Sequence, residues 1–126
     1  MIKLLLVDDQ SIVRQGLRMQ LALEPDLIVV GEAENGEQVL VLAAQLHPDV
    51  ILMDVELPLM DGITTTARLQ VADPKCAVVI LSLYDDAKTR AAAQAAGAVA
   101  FVGKQESSET LLTAIRQATQ AISSGN

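Results

Sequence analysis

The chain has 126 residues, about half of them apolar, with 2% aromatic content and a formal net charge of -7. That length suits one compact domain, and an acidic chain with no Lys/Arg stripe lacks what is needed to neutralise nucleic-acid phosphates by itself. No apolar stretch approaches the length of a membrane span or a signal segment, so a soluble, cytoplasmic protein is expected.

Residues 2–7 form a short run, apolar but for Lys3, that stops at Asp8 and Asp9, as expected of a strand buried on both faces. Helical spacing follows in Val13, Leu17 and Leu21. Residues 27–30 make a second strand, and a helix after an Asn35 cap carries Val39, Leu40, Ala43 and Leu46. The third strand, residues 50–53, ends at Asp54, and the Asp61-Gly62 turn opens a third helix reaching about residue 71. The fourth strand, residues 77–81, ends at Ser82; Cys76 beside it is the only cysteine, which excludes an internal disulfide and reads as a small buried hydrophobe. An alanine-rich helix over residues 87–96 stops at Gly97, and residues 99–102 form a fifth strand followed by Lys104. The last helix, capped by Ser107 or Ser108, presents Leu111, Leu112, Ile115, Ala118 and Ile122 on one stripe. Residues 1–122 then form the domain, and residues 123–126 read as the start of a linker or a frayed end.

Five strand and helix pairs with short connections predict an α/β fold, a doubly wound parallel sheet covered on both sides. Taken partly by analogy, its order is flavodoxin-like, 2-1-3-4-5, with ligands bound beyond the carboxyl ends of strands 1 and 3. That order brings Asp8, Asp9 and Asp54 into one crevice. Three close carboxylates call for a shared cation, and Mg2+ suits a site offering few carboxylates beside a phosphate. Ser82 and Lys104, at neighbouring strand ends, add a hydroxyl and a positive charge for phosphate oxygens. A carboxylate can attack phosphorus, and Asp54, alone on the central strand, is the expected nucleophile.

Each residue also has a purely structural explanation. Asp8 and Asp9 could cap the first helix, Ser82 could serve a turn, and Lys104 could be an ordinary solvated lysine. Asp54 is harder to explain so, because an acid ending an apolar central strand needs a partner. His47, the sole histidine, sits beside Pro48 and supports neither a zinc cluster nor a catalytic triad.

The ordered set Val7-Asp8-Asp9-Gln10, Met53-Asp54-Val55-Glu56-Leu57-Pro58-Leu59-Met60-Asp61-Gly62, Leu81-Ser82, Ala96-Gly97-Ala98 and Phe101 through Gly103-Lys104 resembles the CheY-like receiver domains of two-component response regulators, over essentially the whole chain. By that resemblance Asp54 is the phosphoacceptor, Asp9 a direct Mg2+ ligand, Asp8 a ligand through water, and the backbone carbonyl of Glu56 a further ligand. Ser82 and Lys104 contact the phosphoryl oxygens, and Phe101 is the rotating aromatic that, with Ser82, reports phosphorylation to the outer face. A sensor histidine kinase is implied as donor, and a homodimer on phosphorylation is expected. The segment from Asp8 to Leu17, with Gly31-Glu32-Ala33 and Asn35-Gly36, is similar to the LuxR/NarL/FixJ-type subclass, whose receivers precede a helix-turn-helix domain. DNA would then be reached only through a C-terminal domain outside this chain, making it a receiver piece of a transcription regulator.

Three positions depart from the family pattern. Gln105 stands where proline is usual, Leu83 is larger than the common small residue and is expected to crowd an inward Phe101, and Phe101 lacks the hydroxyl of the frequent tyrosine. Among rival classes, a Mg2+-dependent phosphohydrolase usually has Asp-x-Asp after strand 1, whereas here the acids are adjacent. A pure interaction module would not need the full set of acids, hydroxyl and lysine. A nucleotide enzyme lacks its glycine-rich loop.

Overall fold

The structure, a computed structural model, describes residues 1–124, with side chains through Gln120; the expected place of Ile122 on the last helix and the expectation for residues 125–126 lie outside the described residues. Strands and helices alternate as β1 (Ile2–Val7), α1 (Ser11–Leu21), β2 (Leu27–Ala33), α2 (Gly36–Leu46), β3 (Val50–Met53), α3 (Gly62–Ala72), β4 (Ala77–Ser82), α4 (Ala87–Ala96), β5 (Ala100–Gly103) and α5 (Ser108–Ser124). The sheet is parallel with order β2-β1-β3-β4-β5, the arrangement expected from the sequence. Winding reverses between β1 and β3, so their carboxyl ends border the same crevice.

Alternation within each strand builds two cores, one on either face. Leu4, Leu6, Val50, Leu52 and Val79 pack with Leu21 of α1 and Leu111 and Ile115 of α5. Leu5, Val7, Ile51, Met53 and Ile80 pack with Val39 of α2, Leu69 of α3 and Ala93 of α4. Because β1, β3 and β4 are covered on both sides, β3 is apolar throughout and β1 and β4 are apolar except at Lys3 and Ser82. The buried Cys76 thiol has its pKa pushed up to about 12, chiefly by burial, which leaves it protonated and unreactive.

Several element ends differ from the sequence expectation; among them, β4 includes Ser82 and α5 runs through Ser124, past the expected end at residue 122. β2 continues three residues beyond the apolar run, through Gly31, Glu32 and Ala33, because β1 goes on offering backbone partners as far as Val7, after a register shift between Leu4 and Leu5. β5 begins at Ala100 and includes Gly103, which lies opposite Ser82.

The helix caps are mostly side-chain caps. Asn35 accepts from the Gln38 amide at 2.9 Å, Asp61 from Thr64 at 2.9 Å, Asp86 from Thr89 at 2.7 Å, and Ser107 from Thr110 at 3.2 Å. Helix α1 is the exception: its N-cap, Gln10, makes no side-chain cap bond. Asp8 and Asp9 are therefore not its caps, and their carboxylates are left for other work.

Gly62 ties α3 to the end of β3. A Cβ on this residue would lie 2.0 Å from the Asp54 carbonyl oxygen, and the Gly62 amide donates to Val55 O at 2.8 Å. Backbone cannot yield as a flexible side chain can. Gly62→Ala is expected to cost on the order of 2 kcal/mol or more in urea unfolding; an unchanged midpoint would show that the segment after Asp54 is free to shift.

Candidate functional site

Parallel pairing sets the site. The Asp54 amide donates to Val7 O at 3.1 Å and the Asp8 amide to Ala33 O at 3.1 Å, so the residues following β1 and β3 leave the sheet side by side. One carboxylate oxygen from each of Asp8, Asp9 and Asp54 lies within 4.8 Å of the others. Asp8 and Asp54 are buried and Asp9 is exposed. Lys104, delivered by the turn after β5, places Nζ 2.9 Å from Asp8 Oδ2 and 3.3 Å from Asp54 Oδ2. The other Asp54 oxygen accepts from the Glu56 amide at 3.2 Å. Asp8, Asp9, Asp54, Glu56, Tyr84 and Lys104 line a cavity of about 120 Å3.

Burial pushes the Asp54 carboxyl up to about 6; Lys104 opposes this, Asp8 adds to it by like-charge repulsion, and the Glu56 amide opposes it. Lys104 is itself raised: burial would lower it, but the bond to Asp8 and the charges of Asp54 and Asp8 prevail, so it stays an ammonium. A carboxyl raised on folding favours the fold while protonated, and that advantage disappears as pH rises through its folded-state value. In EDTA the domain should therefore lose stability between about pH 4 and pH 6, by on the order of 2 kcal/mol. Asp54→Asn should flatten that slope and be the more stable protein at pH 7.5. Parallel pH profiles for the two proteins would show that Asp54 ionises without strain.

Three carboxylates face one ammonium, so the cluster has excess negative charge and only hard oxygen donors to offer. This donor set fits Mg2+.

Ser82 is buried at 1% exposure, with its hydroxyl accepting from the Tyr84 amide at 3.0 Å and its carbonyl accepting from the Lys104 amide at 2.8 Å. It stands behind the cavity wall, not in it. Phe101 lies opposite Ile80 in the sheet, half-buried against the α2, α3 and α4 core, with the Arg90 guanidinium 4.7 Å above its ring. Leu83 is 69% exposed at the cavity mouth, so it does not fill the interior beside Phe101.

The chain matches the response regulator receiver domain family over residues 4–116. It belongs to that family. Among proteins similar to this receiver domain, the transcriptional regulatory protein LiaR of Bacillus subtilis is 40% identical over 122 residues, 95% of this chain and 57% of its own length. The response regulator GacA of Pseudomonas aeruginosa is 39% identical over 117 residues, 93% of this chain and 55% of its own. The chain thus spans about half the length of these curated relatives. Among solved structures, a LuxR-family response regulator from Aurantimonas is similar at TM-score 0.91 and 29% identity, covering 94% of this chain and 85% of that one. The response regulator domain of Thermotoga maritima CheB is similar at TM-score 0.87 and 32% identity, covering 94% and 96%. The fold and the LuxR/NarL-type likeness expected from the sequence are thereby supported.

The sequence reading of this receiver missed contacts that depend on backbone direction. Arg14 donates to the Asp8 carbonyl, Gln10 donates its amide to Asp8 Oδ1 at 2.9 Å, and Tyr84 lines the cavity. Gln10 and Arg14 left a trace in the sequence, as residues of the segment that marks the subclass, and Tyr84 left none. Among the described residues no helix is long and apolar enough to cross a membrane.

Proposed function

We propose that this receiver domain is a phosphorylation switch that accepts a phosphoryl group on Asp54 from a sensor histidine kinase. The observation that carries this reading is the Lys104 ammonium bridging Asp8 and the buried Asp54 within one acidic cavity. Asp8, Asp9, Asp54 and the Glu56 carbonyl would hold Mg2+, which when bound supplies positive charge against the phosphoryl oxygens. An Asp54 oxygen forms the new bond to phosphorus while the bond from phosphorus to the donor's imidazole nitrogen breaks, leaving its electron pair on that nitrogen. Lys104 exchanges a carboxylate for a phosphoryl oxygen. Ser82 turns its hydroxyl away from the Tyr84 amide to donate to another.

The Ser82 movement then draws Phe101 inward and shifts the surface of α4, β5 and α5, a two-state population shift. The expected outputs are homodimerisation and control of transcription through a DNA-binding domain elsewhere in a longer protein. The domain is regulatory and not itself an enzyme acting on a metabolite. A protein-glutamate methylesterase of Methanosarcina mazei is 38% identical to it across only 30% of that protein's length, so the likeness does not extend to most of that enzyme.

Incubation with acetyl phosphate should add one phosphoryl group by intact mass spectrometry in the presence of Mg2+ and very little in EDTA. Equal modification in both conditions, or none in either, would sink the reading.

A further inference from the structure

Arg14 is the one cation of α1 that reaches the site and has no part in the chemistry proposed above. Its side chain is only 14% exposed, whereas that of Arg18, one turn on, is 49% exposed. Arg14 Nε donates to Glu32 Oε1 at 2.9 Å, and Nη1 donates to the backbone carbonyl of Asp8. Arg18 takes the other Glu32 oxygen. Glu32 lies on the β2 extension directly opposite Leu6, so the guanidinium is aimed from a fixed point on the sheet.

Asp8 is held at each of its polar atoms: its amide by Ala33, its carbonyl by Arg14, one carboxylate oxygen by Gln10 and the other by Lys104. Asp9 is different. It is exposed, and among the described residues its carboxylate accepts no hydrogen bond, so its direction follows from the backbone. A peptide unit is planar and turns as one body, hence whatever holds the Asp8 carbonyl also fixes the direction in which the chain enters Asp9.

We propose that Arg14, braced by Glu32, is a positioning residue for the cation site: it sets the Asp8–Asp9 peptide plane and so keeps the Asp9 carboxylate aimed at the ion shared with Asp8 and Asp54. The fork of the guanidinium matters, because one group must serve a carboxylate and a carbonyl at once; a lysine ammonium lacks that planar spread. This rests on the cation reading of the acidic cluster.

Calorimetric Mg2+ titration of wild type and variants tests it, together with amide hydrogen exchange in EDTA. Arg14→Met should weaken Mg2+ binding about 10-fold, the usual effect of removing a partner of a metal ligand, and Arg14→Lys should also weaken it although the charge is kept. Arg18→Ala, which unpairs Glu32 from its exposed partner alone, should titrate as wild type. In an Asp9→Ala background, Arg14→Met should change the affinity by under about twofold, because the residue it orients is gone. The Gln10 amide, which closes the turn over Asp9 by donating to Asp8 Oδ1 at 2.9 Å, should exchange faster in Arg14→Met and Arg14→Lys but not in Arg18→Ala. An Arg14→Lys protein with wild-type affinity and wild-type Gln10 exchange would overturn the proposal, as would an equal loss with and without Asp9. A flat titration of wild type is a different result: it overturns the cation reading, and Gln10 exchange then decides whether Arg14 holds the turn.

Discussion

Asp54→Asn protein incubated with acetyl phosphate and Mg2+ should keep its starting mass, while wild type gains one phosphoryl group. The exchange is nearly isosteric: the amide oxygen can still accept the Glu56 N–H that Asp54 now accepts at 3.2 Å. What is lost is the negative charge and the nucleophilic lone pairs, since an amide delocalises its electrons and attacks phosphorus poorly. The fold should not suffer, because burial and the Asp8 charge already disfavour an ionised Asp54. A variant that is more stable at pH 7.5 yet unmodified would place Asp54 among functional residues held at a cost to stability. Modification persisting at the wild-type level would move the acceptor to Asp8 or Asp9, and the same measurement on Asp8→Asn and Asp9→Asn would say which.

Lys104→Met should strongly destabilise the metal-free domain. The ammonium bridges Asp8 and Asp54, both buried, and nothing else in the cavity is positive. Removing one partner of a buried ionic group leaves the others uncompensated, at a cost of about 3–5 kcal/mol. The sign of the pH dependence follows from Asp54. Without Lys104 its carboxyl moves further above about 6, so the neutral form persists to higher pH and the penalty grows as pH rises through that range. Urea unfolding in EDTA should therefore separate the two proteins widely at pH 7.5 and little at pH 5. Added Mg2+ should narrow the gap at pH 7.5, since an ion bound only by the folded state stabilises it. A small, pH-independent difference would mean that solvent, not Lys104, neutralises the pair. Phosphorylation should also be lost, because the transferring oxygens lose their fixed positive partner.

Much of the fold was legible because burial on both faces leaves a local record. A run such as Val50–Met53, apolar at each position and only four residues long, has few places to go except the centre of a parallel sheet. The polar residue that ends such a run is conspicuous for the same reason, which is how Asp54, the Asp8-Asp9 pair, Ser82 and Lys104 stood out. The end of β2 was less legible. Glu32 breaks the apolar pattern, yet the strand continues, because its backbone pairs with β1 whatever the side chain does, and the side chain turns to Arg14.

The sequence by itself determined which chemical groups lie at the strand ends and that they number enough carboxylates to want a cation. Only the tertiary structure decided which atoms meet. Lys104 touches Asp8 across 96 positions of chain and Asp54 across 50, and contacts that distant depend on strand order and register, about which local periodicity carries no information. The same holds for finer geometry: Ser82 faces the Tyr84 amide, Phe101 sits beneath Arg90, and Arg14 reaches the Asp8 carbonyl. Residue types and spacing record hydrophobic burial well because burial acts on whole side chains. Hydrogen-bond direction is set by backbone dihedrals, and those settle only when the sheet has closed around the site.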